Sequence, residues 1–428
     1  MSKKQNYISQ LITRLREQGA IILLESQMKN HPASTKSFLA AQPKAWIKAY
    51  GNEIRVIEDG EERITKGNPW DALQKFRSKT EDWLFGYLGY DLKNYVEEVS
   101  SENQALNDAP DLFFMVPELL LEIDSQHNIQ VIKGELPEGI EPSEIRMFDK
   151  FSVQLESRIE ETEYLKRVEM AQKDIFEGDY YEINLSHPLQ FSFYGDPLDL
   201  YERMKEAGRV PFGSYVEVDG LAICCASPER FLAKKGSRVW SQPIKGTAAR
   251  LPGQNPSLDI ERLKNSEKER AENLMIVDLV RNDLSRIALK KSVKVSKLFE
   301  IQSFETVHQM VSTVECEVEK SAESIDLIKA CFPMGSMTGA PKIAAMKAID
   351  EYENYKRGVY SGALGYISPE GDFDFNVIIR TAIIDGNNLV NPVGGAITSD
   401  SDANAEWEET LLKARAITNI LEIAKKPE

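Results

Sequence analysis

Apolar residues in the first third of the chain are spaced as in β-strands. They alternate with polar residues or run together over short stretches bounded by turn residues, at 21–25, 54–57, 83–90 and 118–123. Residues 136–143 carry two prolines among acidic residues, which indicates a connecting segment. We therefore predict that residues 1–150 form an N-terminal region of strands and modest helices, packed into the same unit as the rest of the chain.

The period of the pattern changes near residue 155. Residues 158–177 have helical spacing, and Gly178 with Asp179 predicts the end of this helix. Strands and helices then alternate up to a C-terminal helix over residues 402–424, whose apolar stripe is formed by Trp407, Leu411, Ala414, Ile417 and Leu421. This pattern favours an α+β protein with large antiparallel sheets over a strict β-α alternation, with residues 155–426 as the larger domain.

The composition indicates a globular chain with a strongly acidic balance. Of its 428 residues 42% are hydrophobic, and no apolar run approaches the roughly 20 residues that cross a bilayer. The formal charge of −16 argues against binding to nucleic acid or anionic membranes. Residues 1–18 lack the apolar core of an export signal, so the expected location is the cytoplasm. An anionic substrate would need local positive charge from Arg, Lys or a divalent cation.

The four cysteines and four histidines do not have the spacing of a zinc site. Adjacent Cys224 and Cys225 would face opposite sides of a strand. We therefore predict buried thiols, and oxygen ligands for any metal ion.

Two pairs of carboxylates with ExxE spacing lie on predicted helices. Glu269 and Glu272 belong to a predicted helix over residues 264–288, and Glu406 and Glu409 belong to the C-terminal helix. Four carboxylates from two helices could hold Mg²⁺ through oxygen ligands and water. The alternative is a solvated acidic helix face, which is the more common meaning of this spacing.

Two glycine-rich segments each precede a predicted helix. FPMGSMTGAPK at 332–342 leads into a helix predicted over 342–352, and NPVGGAITSDSD at 391–402 leads into the C-terminal helix. Free N–H groups at a helix N-terminus attract anions, so two such segments favour an anion pocket. The alternative for each segment is an ordinary capped turn.

A hairpin is predicted over residues 359–383, with its turn at 369–372. On its second strand Asn376, Ile378 and Arg380 would share one face. An unpaired guanidinium among apolar neighbours is costly, so Arg380 needs a carboxylate of the protein or of a substrate.

Together these segments resemble the chorismate-utilising enzymes, the family of anthranilate synthase component I, aminodeoxychorismate synthase component I, isochorismate synthase and salicylate synthase. The likeness spans residues 159–423 through IFEGDYYEINLS, SPERFL, PIKGTAAR, RAENLMIVDLVRNDL, FETVHQMVSTV, GSMTGAPK, YSGALGY and EWEETLLKA. It implies a sandwich of large antiparallel sheets with helices outside, and a chorismate-binding catalytic domain over residues 155–426.

The resemblance also implies the ligands of a Mg²⁺ cofactor and of the substrate. Glu272 and Glu409 would bind the ion, with Glu269 and Glu406 beside them directly or through water. The residues implied to hold the substrate and its carboxylates are Tyr366, Arg380, the backbone of Gly395, Lys413 and Thr247.

Lys245 in PIKGT distinguishes members of the family, because anthranilate synthases typically carry alanine there. The resemblance implies that Lys245 attacks C2 of chorismate as the C4 hydroxyl leaves. Ammonia then adds at C4 and gives 4-amino-4-deoxychorismate, a precursor of 4-aminobenzoate and folate. Covalent catalysis by an amine requires its neutral form, so we expect the pKa of Lys245 to be lowered.

Glu229 in SPERF is implied as the general acid and base, with His308 and Thr338 near the ring and the departing oxygen. The structural alternative for Glu229 is an ion pair with Arg230 or another cation. A lone histidine is also more often structural than catalytic, and only the motif favours a role for His308.

Three further positions narrow the activity and imply a partner. Isochorismate and salicylate synthases use a lysine where this chain has Glu182, and other aminating members usually show glutamine, so Glu182 disfavours those two activities. Neither Cys225 nor Cys331 lies in the tight turn of a glutaminase nucleophile. A separate glutaminase subunit, forming a heterodimer with this chain, is therefore implied as the source of ammonia.

Two other interpretations stay open: anthranilate synthase component I, and a catalytically silent chorismate-binding subunit. LLES at residues 23–26 supports the first, because it resembles the segment that binds feedback tryptophan and makes Ser26 a candidate allosteric residue. Its usual companion NPxPY appears here as VPFGSY, and the simpler interpretation of LLES is the end of a core strand. Competent residue types at every matched catalytic position oppose the silent subunit.

Overall fold

The computed structural model describes residues 3–28, 36–137, 151–250, 256–304 and 307–425. The helices in these residues are α1 (Lys3–Leu15), α2 (Pro69–Thr80), α3 (Glu161–Glu177), α4 (Pro197–Ala207), α5 (Pro256–Asn265), α6 (Glu267–Ser285), α7 (Ser324–Cys331), α8 (Lys342–Tyr352) and α9 (Ala403–Lys425). Within this part of the chain, no helix combines the length and the apolar character that a membrane span requires.

The strands are short on average, but three of them exceed eleven residues. In chain order they are β1 (Ile21–Glu25), β2 (Ser37–Tyr50), β3 (Glu53–Glu58), β4 (Glu61–Lys66), β5 (Leu84–Leu88), β6 (Leu112–Ile123), β7 (Ile129–Lys133), β8 (Ser152–Arg158), β9 (Glu182–Tyr194), β10 (Phe212–Val218), β11 (Leu221–Ser227), β12 (Arg230–Lys235), β13 (Arg238–Gln242), β14 (Ile244–Ala249), β15 (Lys294–Ser303), β16 (Val307–Glu317), β17 (Gly339–Ala340), β18 (Ala363–Ile367), β19 (Phe373–Val377), β20 (Thr381–Asp385) and β21 (Asn388–Ile397).

The strands form two antiparallel layers that share one strand pair. The first layer has the order β8, β9, β21, β20, β11, β10, β1, β2. The second has the order β15, β16, β13, β12, β19, β18, β5, β6, and β14 pairs with β16 beside β13. The long strands β2 and β6 pair with each other and join the layers. The predicted α+β fold with large antiparallel sheets is confirmed.

A local irregularity lets β2 serve both layers. Gln42 has a positive φ of 56°, and the register between β2 and β6 shifts between Pro43 and Ala45. An extra residue in one strand of an antiparallel pair bends that strand and increases its twist. The first half of β2 therefore pairs with β1 in one layer, while its second half pairs with β3.

Alternate residues of the first layer divide between two hydrophobic cores. One core fills the space between the layers, and the other lies between the outer face of the first layer and helices α1, α4 and α9. Cys225 belongs to the inner core and Cys224 to the outer one, as a period of two requires. All four cysteines are buried and free, as predicted.

Most predicted elements match the structure. The predicted bounds of β1 and α8 are those observed, and α3 ends where Gly178 takes a left-handed φ of 93°. The helix predicted over residues 264–288 is present as α6, but it begins at Glu267 and ends at Ser285. Lys264 and Asn265 belong to α5, because the Ser266 side chain accepts a hydrogen bond from the N–H of Glu269 and begins a new helix.

Strands from both predicted domains lie in the same layers. Strand β1 pairs with β10, and β5 pairs with β18. The division near residue 150 stays a prediction, and residues 138–150 and 426 lie outside the described part of the chain.

The buried guanidinium of Arg357 connects three segments: the residues after α8, the 335–340 segment and β9. Arg357 donates to both carboxylate oxygens of Glu353 at 2.6 and 2.8 Å, and the two side chains are 1% and 2% exposed. It also donates to the carbonyl oxygens of Met337 and Asn184 at 2.6 and 2.7 Å. These bonds hold the 335–340 segment and β9 in a fixed relation, because a buried charge is stable only when it is fully paired.

We expect Arg357→Ala to lower the free energy of unfolding by about 3 to 5 kcal/mol, because it leaves the buried carboxylate of Glu353 without its cation. Urea unfolding followed by circular dichroism measures this loss. The control is Arg281→Ala, which removes an exposed ion pair with Asp278 and should cost less than about 1 kcal/mol. Equal losses in the two variants would contradict the assignment.

Candidate active site

Lys245 is largely buried and lies among several of the residues predicted from the sequence. Lys245 Nζ on β14 donates to Glu182 Oε1 on β9 at 2.7 Å, and the two side chains are 12% and 2% exposed. Burial alone would lower the pKa of Lys245, but the carboxylates of Glu182, Glu272 and Glu229 outweigh it, and the pKa is raised. The shift is opposite to the one expected from the sequence, because that expectation left out the acidic neighbours.

Glu229 lies in the turn between β11 and β12 and is almost completely buried. Burial raises the pKa of Glu229 to about 7, although Ser336 and Lys245 favour its charged form. Arg230 forms a two-bond ion pair with Asp374 instead, at 2.8 Å for each bond, so the structural alternative predicted for Glu229 is wrong for this partner. A carboxyl group that titrates near neutral pH can donate a proton and accept it back.

The predicted carboxylate pairs of α6 and α9 interact electrostatically. Burial, followed by repulsion from Glu272, raises the pKa of Glu269, and burial likewise raises the pKa of Glu272 and of Glu406. Glu409 acts on both glutamates of α6, which means that the two helices bring their acidic faces together. Oxygen donors that repel one another in this way fit a hard divalent cation.

No three of these four glutamates have carboxylate oxygens that all lie within 4.8 Å of one another. Among the described residues, the carboxylates whose oxygens all lie within 4.8 Å of one another belong to Asp174, Glu177 and Asp179. Asp174 there accepts hydrogen bonds from the hydroxyls of Tyr180 and Tyr352, so this cluster already has a structural use.

Two glycines allow the acidic helices to approach the sheet. Gly246 has a φ of +89°, and a Cβ there would lie 2.9 Å from Glu269 Oε2. Gly395 lies within strand β21, where a Cβ would be 3.3 Å from Glu406 Oε2. The prediction that Gly394 and Gly395 form a turn before a helix is therefore wrong, because both pair with β9 in the sheet.

Lys413 on α9 lies beside the same glycines. Its Nζ donates to Glu409 Oε1 and to the carbonyl oxygen of Gly394, each at 2.8 Å. Burial would raise the pKa of Glu409, but Lys413 outweighs it and the pKa is lowered. The structure thus brings Lys413 to Gly395, as the predicted substrate site requires.

Arg380 follows the hairpin rather than belonging to it. The predicted turn is present, but β19 ends at Val377, so Asn376, Ile378 and Arg380 do not share a strand face as predicted. Arg380 has a φ of +51°, a conformation that is rare for a residue with a side chain. Burial lowers the pKa of Arg380, while Glu229 opposes that shift. The kink therefore places the guanidinium near Glu229.

The other implied catalytic residues differ in how they are held. His308 Nδ1 is 2.8 Å from Ser303 Oγ, and its buried Nε2 has no hydrogen-bond partner in the described part of the chain. The Thr338 hydroxyl donates to the carbonyl oxygens of Met334 and Gly335 at 3.2 Å. The Thr247 hydroxyl accepts a long hydrogen bond of 3.5 Å from the Gln309 amide. Their catalytic and binding roles stay predictions.

The structure does not bring Tyr366 to the lysine. Its ring packs against Phe38, Trp83 and Phe85, with centroids 5.0 to 5.8 Å apart. Burial raises the pKa of Tyr366, and the predicted role in holding a substrate carboxylate has no support in this placement.

Ser26 lies in a separate cavity lined by Glu25, Gln27, Ser37 and Lys205, among other residues. Lys205 pairs there with Glu25 at 3.2 Å, and the Ser26 hydroxyl donates to the carbonyl oxygen of Lys36. The allosteric role of Ser26 stays a prediction.

Two functional contacts were not anticipated from the sequence. The first is the bond between Glu182 and Lys245, which a carboxylate in place of the usual glutamine or lysine could have suggested. The second is Ser336 as a partner of Glu229, which only the folding of the glycine-rich segment against β9 reveals.

The fold is a two-layer antiparallel sandwich, and its candidate site brings the buried carboxyl of Glu229 together with Lys245 and its partner Glu182. A family model described as chorismate binding enzyme matches residues 19–419. The chain belongs to this family, which confirms the relationship predicted from its motifs.

Three relatives illustrate the match. Aminodeoxychorismate synthase component 1 of Escherichia coli K12 is 33% identical over 424 residues, which cover 94% of this chain and 93% of that protein. Anthranilate synthase component 1 of Aquifex aeolicus is 28% identical over 457 residues, covering 97% and 92%. The crystal structure of anthranilate synthase component I from Streptococcus pneumoniae TIGR4 superimposes with a TM-score of 0.80 at 29% identity, covering 91% and 93%.

We expect the buried carboxyl of Glu229 to make stability depend on pH. Its pKa is about 7 in the folded chain against an ordinary value of 4.5, so the folded state binds more protons between these values and stability falls as pH rises. Glu229→Gln should therefore gain up to about 3 kcal/mol over the parent between about pH 5 and pH 8.

Urea unfolding of parent and variant across this range measures the gain. Glu17→Gln, which changes an exposed carboxylate, is the control. A difference between parent and Glu229→Gln that stays constant with pH would disprove the shift.

Proposed function

We propose that this chain aminates chorismate at C4 with ammonia and produces 4-amino-4-deoxychorismate, the activity of an aminodeoxychorismate synthase component 1. The observation that carries the proposal is the pairing of a nucleophilic amine with an acid in one pocket: Lys245 and Glu229 each influence the pKa of the other. The relative from Escherichia coli supports the same activity by its identity over nearly the whole chain.

In the proposed reaction Lys245 is the nucleophile and Glu229 donates a proton to the leaving hydroxyl. Neutral Lys245 attacks C2 of the ring, the two ring double bonds each shift by one position, and the C4 hydroxyl leaves as water with the proton of Glu229. Ammonia then adds at C4, the double bonds shift back, and Lys245 is released. A pKa near 7 lets Glu229 be protonated before the first step and regain a proton after it.

We propose that the cations around the pocket bind the two carboxylates of the substrate. Arg380 is held in a strained conformation near Glu229, and Lys413 lies against the β21 glycines. A half-buried guanidinium that forms no ion pair with a carboxylate among the described residues is suited to a substrate carboxylate. These local positive charges offset the overall charge of −16, which would otherwise repel a dianionic substrate.

The acidic faces of α6 and α9 are proposed to hold Mg²⁺ through Glu272 and Glu409, with Glu269 and Glu406 beside them. The ion would neutralise these carboxylates and hold an anionic group of the substrate. The repulsion among these carboxylates and the raised pKa values of Glu269, Glu272 and Glu406 support a cation site at this place.

The ammonia is proposed to come from a separate glutaminase subunit. The cysteines support this, because burial raises the pKa of Cys225 to about 11 and also raises that of Cys331, so neither is a reactive thiolate. The proposed place of action is the cytoplasm, where free thiols such as these are the rule.

Anthranilate synthase component I is the second candidate, because the relative from Aquifex aeolicus aligns over 97% of the chain. Its product differs, since amination then occurs at C2. Lys245 opposes this candidate, because the resemblance implies alanine at this position in anthranilate synthases.

Product analysis tests the proposal. The purified chain is incubated with chorismate, Mg²⁺ and ammonium at mildly alkaline pH, and the product is identified by mass and chromatography. We expect 4-amino-4-deoxychorismate with ammonium, and none with glutamine unless a glutaminase is added. Anthranilate would favour the second candidate, and no product with ammonium would favour a silent chorismate-binding subunit.

Lys245→Ala should reduce formation of the aminated product by at least about 100-fold, because the covalent step has no other amine. Chorismate binding, measured by calorimetry, should change little, since other residues hold the substrate carboxylates. Lys173→Ala is the control, because its side chain is 73% exposed and pairs with Glu177 rather than with a residue of the site. Unchanged turnover in Lys245→Ala would exclude the nucleophile.

Removal of one proposed metal ligand should weaken binding of the ion independently of catalysis. We expect Glu272→Gln to raise the dissociation constant for Mn²⁺, a probe for Mg²⁺, by about 10-fold or more. Electron paramagnetic resonance of free Mn²⁺ measures this. Asp278→Asn, on an exposed face of α6, is the control. Equal affinities in the two variants would place the metal elsewhere.

A further inference from the structure

Glu182 is a buried carboxylate with one oxygen in use and one free. Its Oε1 accepts the 2.7 Å hydrogen bond from Lys245, and only 2% of its side chain is exposed. Oε2 is buried and has no hydrogen-bond partner among the described residues. Its backbone is fixed, because Glu182 pairs with Ala340 in the sheet and a Cβ on Gly339 would lie 2.0 Å from its carbonyl oxygen.

The buried ion pair between Glu353 and Arg357 looks different. Both oxygens of Glu353 are bonded, since Arg357 donates to each and Ser186 donates to Oε1 through its N–H and its hydroxyl. A buried carboxylate oxygen that accepts no hydrogen bond has lost its hydration without compensation, which costs free energy. Because the free oxygen of Glu182 belongs to the carboxylate that holds Lys245, it can receive a partner that arrives during the reaction, such as a proton.

The other carboxylates near Lys245 are less suited to take its proton. Glu229 is the proposed acid, and it must hold a proton of its own when the amine attacks. Glu272 acts on Lys245 only through its charge, and it is proposed to bind the metal ion. In the described part of the chain, Glu182 is the carboxylate within hydrogen-bond distance of the amine.

We propose that Glu182 is a positioning residue that holds the amine of Lys245 toward the substrate and takes one proton from it. The assignment rests on the proposed function, because it gives Lys245 a reaction to perform. The proposal also gives a role to the carboxylate at position 182, where the resemblance implies a water-activating lysine in isochorismate and salicylate synthases.

The proton balance of the first step closes without another reactant. One N–H bond of the Lys245 ammonium breaks, and its proton forms an O–H bond on Glu182. The neutral amine forms the bond to C2, the two ring double bonds shift, and the C4–O bond breaks. The oxygen leaves as water with the proton of Glu229. The pocket ends with a secondary ammonium, a neutral Glu182 and an ionised Glu229, and its total charge is unchanged.

Two measurements on Glu182→Gln and Glu182→Asp test the proposal. The first is kcat and KM for chorismate with saturating ammonium. The second is the rate at which cyanate carbamylates Lys245 in the chain without substrate, followed by peptide mass spectrometry. We expect Glu182→Gln to lower kcat by about 100-fold with KM nearly unchanged, as for loss of a proton acceptor.

Carbamylation should respond in the opposite direction. Glu182→Gln should accelerate it, because the amine loses the carboxylate that holds its proton. Glu182→Asp keeps a carboxylate and should recover part of kcat. Glu202→Gln is the matched control, since it removes a similarly buried ion pair with Lys205 far from the pocket, and it should change neither rate.

An unchanged or raised kcat in Glu182→Gln would overturn the proposal, and so would unchanged carbamylation. If Glu182→Gln does not fold, a kcat in Glu182→Asp as low as that of Lys245→Ala would also overturn it. The carbamylation assay needs no turnover, so a parent chain that makes no aminated product would reject the proposed function without deciding the contact between Glu182 and Lys245.

Discussion

The arrangement of the site depends on the buried ion pair between Arg357 and Glu353. Through the carbonyl oxygen of Met337 this guanidinium fixes the segment that carries Ser336, the partner of Glu229. Through the carbonyl oxygen of Asn184 it fixes β9 two residues beyond Glu182. Arg357 therefore holds both the segment that carries Ser336 and the strand that carries Glu182. Because the donors of Arg357 are paired, its buried positive charge does not destabilise the fold.

The pocket brings several carboxylates and several cations close together. Carboxylates come from β9, the β11–β12 turn, α6 and α9, and cations come from β14, α9 and the segment after β19. Each group changes the pKa of its neighbours: Lys245 is held protonated, while Glu229 is moved to about 7. A divalent cation and a dianionic substrate would complete this balance of charges.

The contact between Glu182 and Lys245 joins two strands that are far apart in the chain, β9 and β14. The resemblance to the chorismate-utilising enzymes implies a lysine at the position of Glu182 in the members that activate water, whereas the amine of this chain lies on β14. The backbone of Glu182 is fixed, because it pairs with Ala340 and a Cβ on Gly339 would lie 2.0 Å from its carbonyl oxygen.

The sequence by itself determined the class of fold and the family, and it predicted the residues of the candidate site. The spacing of apolar residues in strands and helices is a local property of the chain, and motifs such as PIKGT and EWEETLLKA can be recognised without knowledge of the tertiary structure. Only the tertiary structure decided which carboxylate contacts Lys245, that Arg380 leaves its strand at a left-handed turn, that Gly394 and Gly395 lie within a sheet, and that Tyr366 belongs to an aromatic cluster. These facts depend on contacts between residues far apart in the chain, and a pKa depends on all of them at once.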